Sequence, residues 1–481
     1  MTASEVRERT DGGTGKGART PGADETQGET VACSAAVAPV SWLSRRLFPL
    51  LATAALIVIG MAATVVGPRL IGKTGWLPPV DLWGTLVAAQ RLVHAHLSAL
   101  YTKPTGLITF PGAAVILTPA AAVISAAALS LSQPGPHNAQ PVVWLVAGPY
   151  IIAISAVALF AADALAERLR VSRPKRAFLA FASAAALCNV TVEWGHPEDA
   201  VAVGLLLFAI LALSEARPTR SAWLTGAAVA VQPLVLLALP IMLAVVEPRR
   251  LAGFLARAAA PAVVLLGAAA VANWNATYHA VTGQPNWPRV DHPTPWTLLA
   301  PHMAGGAVAA GPARALAILA ACGCALIVAR RLHAARDGAR WSRATLWELL
   351  WWVALGLALR SLFEPVMVAS YLWPGLAVAL IAATRDWRRL VPTSVVAVAV
   401  TFGSQSSWRS PWGWWGFMVA GLALTLFFAG VPARRTPPAA PDVTALTGTA
   451  PGTGVGRRGR PVCDRGQDHS RPLATKETQP D

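Results

Sequence analysis

The chain has 481 residues, of which 54% are hydrophobic and only 13% charged. A soluble protein carries about 25% charged residues, so a soluble enzyme is excluded, and several runs exceed the roughly 18 apolar residues that cross a bilayer. The net charge of +16 would point to nucleic acid in a soluble chain; here Lys and Arg sit mostly in short loops and at the two ends, where they set topology and attract anionic lipid.

Residues 1–41 are rich in Gly, Thr, Ala and charge, and are expected to form a disordered cytoplasmic tail. The first apolar run, 47–67, follows Arg45 and Arg46 and is long enough to span instead of serving as a cleaved signal. Further spans are expected over 142–165, 177–192, 200–213, 258–272, 307–329, 346–362, 365–383, 391–401 and 414–428. Basic clusters at 168–176, 217–220, 249–257, 330–343 and 385–389 separate them and belong on the cytoplasmic side. The sides alternate correctly only if 106–131 and 221–246 each enter and leave on one side. Each carries two prolines, Pro111 with Pro119 and Pro233 with Pro240, which interrupt the helical hydrogen-bond ladder. The expected fold is therefore an all-α integral membrane, polytopic helical bundle of about ten spans plus two Pro-broken re-entrant hairpins. It occupies 42–432 of a plasma-membrane, multi-pass protein, ahead of a disordered cytoplasmic tail at 433–481. The five cysteines, Cys33, Cys188, Cys322, Cys324 and Cys463, have no metal-ligand spacing, so neither disulfide nor zinc is assigned.

With this topology the unusual polar residues gather on the outer side. Asp81 opens an amphipathic segment that also holds Arg91, His94, His96, Tyr101 and Lys103. A carboxylate there can act as a general base or simply cap a helix. The turn EWGHPED supplies Glu193, His196, Glu198 and Asp199. Paired carboxylates share a proton or hold a divalent cation, but Pro197 followed by two acids also fits an ordinary helix start. The long loop adds Arg289, Asp291, His292 and His302. Arg360 and Glu364 stand four apart at a span end; ionisable groups at membrane depth point to function. Arg360 can take a phosphate bidentately or pair with Glu364 to hold the hairpin. His94 and His96 share no helix face, Asp163 reads as a packing group, and there is no phosphate-binding loop or nucleophile elbow.

The order of an outer Asp81, an amphipathic helix ending at Tyr101, and an apolar segment with Phe110-Pro111 resembles glycosyltransferase family 87. These are the polyprenyl-phosphate-mannose-dependent mannosyltransferases of the GT-C superfamily. Ala222–Pro233 and the turn Ser361–Pro365 resemble two further family segments. The resemblance implies a GT-C-like bundle in which Asp81 deprotonates the acceptor hydroxyl, with inversion at the sugar carbon. It implies a polyprenyl-phosphate sugar donor, a lipid or glycan acceptor of the cell envelope, and no nucleic acid. Substrate would be bound by Tyr101, Lys103, Glu193, His196, Glu198, Asp199, Arg289, Arg360 and Glu364, with the donor phosphate facing Arg360, Lys103 or Arg289. No cofactor is firmly implied; a divalent cation at EWGHPED is open. The chain departs from the family at Gln232, where a lysine is usual, at Pro111-Gly112 for Pro-Pro, and at Gly195-His196-Pro197-Glu198 for Gly-Gln-x-Asn. A different acceptor or an inactive relative would explain these. Two other readings are a transporter or lipid flippase, whose sites are also built on broken helices, and a non-catalytic membrane scaffold.

Overall fold

A computed structural model of the protein describes residues 42–70, 79, 81–102, 107, 109–131, 141–282, 292–303, 308–309, 311–333, 341–405 and 411–430. These residues belong to one compact unit. The two expected tails, Lys103 and Arg289 lie outside the described residues. The chain forms the all-α polytopic membrane bundle expected from composition. Eight helical stretches are long and apolar enough to cross a bilayer, and β pairing among the described residues is confined to isolated bridges, Pro293 with Val366 and His302 with Val308.

The short α1 (Trp42–Arg45) leads into α2 (Leu47–Leu70), and α3 (Leu82–Val93) buries Leu82, Leu86 and Ala89 on one face. α4 (Gly112–Ala126) follows, then α5 (Pro141–Ser155) and α6 (Val157–Arg168), which together make one 27-residue span over Val142–Arg168. α7 (Arg173–Cys188) widens into a π turn at Asn189–Glu193. α8 (Pro197–Ser214) and α9 (Pro218–Val231) both start on a proline, which suits a helix start because its absent N–H would have no partner there. The chain continues through α10 (Leu239–Leu243), α11 (Leu251–Ala272), α12 (Trp274–Thr282), α13 (Gly311–His333) and α14 (Arg343–Phe363). It closes with α15 (Trp373–Ala383), α16 (Trp387–Gly403) and α17 (Pro411–Gly430).

The basic loops converge at one end. Asp163, buried near the end of α6, receives Arg46 and Arg176, each at 2.7 Å. Lys175 reaches the carbonyl of Arg385 at 3.1 Å, and Arg168 that of Ser214 at 2.9 Å. Asp163 is thus a packing group whose charge is offset by two arginines that tie α6 and α7 to the entry of α2.

The two expected re-entrant hairpins have different outcomes. Residues 112–126 form one continuous helix through Pro119, not a broken hairpin. A single proline removes one backbone donor, which a packed helix tolerates. The chain still stays on one side: Trp144, at the start of α5, donates to Thr64, far along α2 from the basic end, at 3.1 Å. In 221–246 the chain does turn back. α9 and α11 both run away from the basic end, since Gln232 meets Asp199 and Asn273 meets Ser98. Between them the backbone breaks at Gln232 (φ −148°, ψ 115°) and returns through the 3-10 turn Pro233–Leu237 and α10. The return runs along α14, where Gly356 faces Leu237 and Ile241.

Two of the ten expected spans are short. The segment 365–383 begins as irregular chain and yields only the 11-residue α15, and 391–401 is the 17-residue α16. All residues of α15 are buried, packed by α7, α14, α16 and α17. A helix wrapped by protein on every side need not match the bilayer thickness.

Candidate active site

Asp81 occupies the position before α3, but its backbone is helical (φ −71°, ψ −25°) and its side chain makes no capping bond. Its Oδ2 instead lies 3.2 Å from His196 Nε2. The approach depends on Gly195, whose φ is +72°. A Cβ there would come within 2.8 Å of the Leu82 Cβ and 2.5 Å of the Pro79 Cβ. Glycine satisfies both the left-handed backbone and the close passage of α3.

His196 holds a second carboxylate: its Nδ1 is 2.8 Å from Glu198 Oε1. With a carboxylate at each nitrogen, the ring donates from both only as the imidazolium. Burial lowers its basicity, but Glu198, Asp81 and Asp199 outweigh that and hold its pKa well above the usual histidine value. Glu198 and Asp199 are buried and neither caps α8. Glu198 Oε2 has no hydrogen-bond partner. Asp199 Oδ1 accepts from Gln232 Nε2 at 2.6 Å, and Gln232 Oε1 accepts from the Thr109 hydroxyl at 3.1 Å. Tyr101 donates its hydroxyl to the Thr109 carbonyl at 3.0 Å, and burial pushes its phenol pKa up. Two polar chains, one ending at Glu198 and the other at the adjacent Asp199, therefore link the starts of α3, α4 and α8 to the end of α9. Gly112 makes this fit, because any Cβ there would run into the Ala230 carbonyl and Val231.

The Arg360–Glu364 contact, one of the two readings of that spacing, is loose, at 3.9 Å. The closer partner of Glu364 is Arg314, from the first turn of α13, at 2.8 Å. Arg360 lies over the ring of Tyr371, 3.7 Å from its centroid, and its Nη1 is buried without a hydrogen-bond acceptor. Arg360 and Asp199 attract one another electrostatically. The segment 292–300 closes the end of α14: Thr294 donates to the Glu364 carbonyl at 2.8 Å and Trp296 to that of Leu362 at 2.7 Å. Those carbonyls lack intrahelical partners at a helix end.

The geometry brings Asp81, His196, Glu198, Asp199 and Tyr101 into one region, with Arg360 attracted to Asp199 and Glu364 3.9 Å from Arg360. Glu193 is exposed and takes no part in these contacts. His94 and His96 are exposed, their rings 6.2 Å apart, and Arg91 braces the following loop through Thr102 at 3.1 Å. Sequence reasoning missed Arg314, Tyr371 and Thr109, and saw Gln232 only as a departure from a family pattern. Arg314 had a signal: a lone arginine opening an apolar helix, at the end away from the basic loops. No group of three His, Cys, Asp or Glu side chains among the described residues is arranged to hold a metal, and both nitrogens of His196 face carboxylates. Compared with known proteins, the sequence matches no family model and no curated relative.

Proposed function

We propose that the protein is a GT-C-like membrane glycosyltransferase of the plasma membrane. It transfers a sugar, mannose by the family 87 resemblance, from a polyprenyl-phosphate donor to a lipid or glycan acceptor on the extracytoplasmic face. The observation that carries this reading is the disposition of Asp81. Its carboxylate is free of capping duty and set against His196, in a network whose Asp199 attracts Arg360, a buried arginine with an open guanidinium nitrogen. In this reading Asp81 takes the proton of the attacking hydroxyl and His196 fixes its orientation. Arg360 receives the donor phosphate, and Glu198 and Asp199 balance its charge before the donor arrives. The requirement for a divalent cation is part of the same proposal and is read by adding a chelator to the assay.

Membranes containing or lacking the protein, supplied with labelled polyprenyl-phosphate-mannose, test the reading. A new labelled glycolipid or glycan that depends on the protein is expected. Donor consumed by neither membrane sinks the proposal. The chain break at Gln232 keeps a transporter or flippase as the second reading, and labelled lipid that changes leaflet without reacting would favour it.

A further inference from the structure

Away from the Asp81 network the bundle contains a cavity of about 850 Å³ between α4, α5, α6 and α8. None of the network residues lines it. Its long wall is apolar, with Ile116, Ile154, Val157 and Phe208 among its residues, and its polar and charged lining groups are sharply segregated. Apart from Tyr150, whose hydroxyl is used in a 2.7 Å bond to the Ile116 carbonyl, they are Arg46, Glu215, Arg217 and Arg220, all at the basic end. On α8 the lining runs from Val201 to Glu215, roughly 21 Å of helix. That exceeds half of a hydrocarbon core about 30 Å thick. The rim carries three arginines against one glutamate. Arg46 is already held by Asp163 and Glu167. Arg217 is exposed and touches Glu215 at only 3.4 Å, and Arg220 is exposed.

A slot of one-leaflet depth, apolar within and cationic at its mouth, matches a single amphiphile. We infer that this cavity holds an anionic phospholipid from the leaflet at the basic end, its acyl chain against Ile154 and Phe208 and its phosphodiester on Arg217 and Arg220. The inference does not depend on the transferase reading. Native mass spectrometry of the full chain, purified in detergent and mixed with equal phosphatidylglycerol and phosphatidylcholine, tests it. Retention of phosphatidylglycerol is expected, falling roughly thirtyfold in R217Q/R220Q and recovering in R217K/R220K. Ala153 lines the slot and is exposed, so Ala153→Trp should expel the lipid while leaving the arginines in place. Equal retention of the two lipids, retention unchanged in R217Q/R220Q, or displacement of phosphatidylglycerol by equimolar polyprenyl phosphate would each overturn the assignment.

Discussion

Asp81 makes no cap bond, and the contact of its carboxylate with His196 at 3.2 Å is one that an asparagine oxygen can still accept. Asparagine keeps its size and hydrogen-bonding reach but cannot accept a proton at neutral pH. Asp81→Asn is therefore expected to lower transfer by about 10²–10⁴-fold, with expression and thermal stability in detergent close to the parent chain. Transfer at the parental rate would remove Asp81 from the mechanism. His196 gives a second residue-scale expectation. Its folded pKa is raised above the unfolded value of about 6.5, so its contribution to stability is complete below that pH. The contribution is lost as pH rises through the higher folded value. Melting temperature should fall across that alkaline interval in the parent chain and stay flatter in His196→Gln. Parallel curves for the two proteins would show that the histidine carries no such linkage.

At the scale of elements, the closest fit is α4 on α9. Gly112→Ala places a methyl against backbone atoms of Ala230 and Val231, which cannot rotate away. Overpacking of this kind costs about 1–3 kcal/mol. It should shift Thr109 off Gln232, so a lowered melting temperature together with weakened transfer is expected, and a silent Gly112→Ala would mean that α4 moves freely. Most helices were legible in the sequence, since an uncharged run near 20 residues has few alternatives in lipid. The form of α4 was not: Pro111 and Pro119 suggested a break, but one missing donor is a local loss that packing can override. The π turn at Asn189–Glu193 was equally hidden, because its wider hydrogen bonding has no side-chain signature. The polar face was legible as composition, yet its pairings were not. His196 finds Asp81 from 115 positions away, and Arg314 finds Glu364 from 50. Spacing arguments reach only neighbours on one helix, so they offered Arg360 as one partner for Glu364 and could not reach the distant Arg314.

For the whole molecule, the ion-paired basic loops and the Asp81 network mark opposite ends, and we propose from the positive-inside rule that the basic end faces the cytoplasm. In a chain with its five cysteines replaced by serine, single cysteines at the exposed positions Arg173 and Arg217 should resist an impermeant thiol reagent in intact cells. Cysteines at the exposed positions His94 and Glu193 should react. Labelling of Arg173→Cys and Glu193→Cys from the same side would reject this topology.

The complete burial of α15 bears on how the protein is made. The apolar helical stretch around it, Ala369–Ala383, is still shorter than the roughly 20 residues that span a bilayer, so its place depends on the helices that enclose it. Two of the helices that enclose it, α16 and α17, emerge from the ribosome only after it does. Until they arrive, the nascent chain presents an unfinished centre to the proteases that survey new membrane proteins. A chain stopped after Arg385 keeps Asp81, His196, Glu198 and Arg360, yet it should be degraded within the time that the full-length chain accumulates.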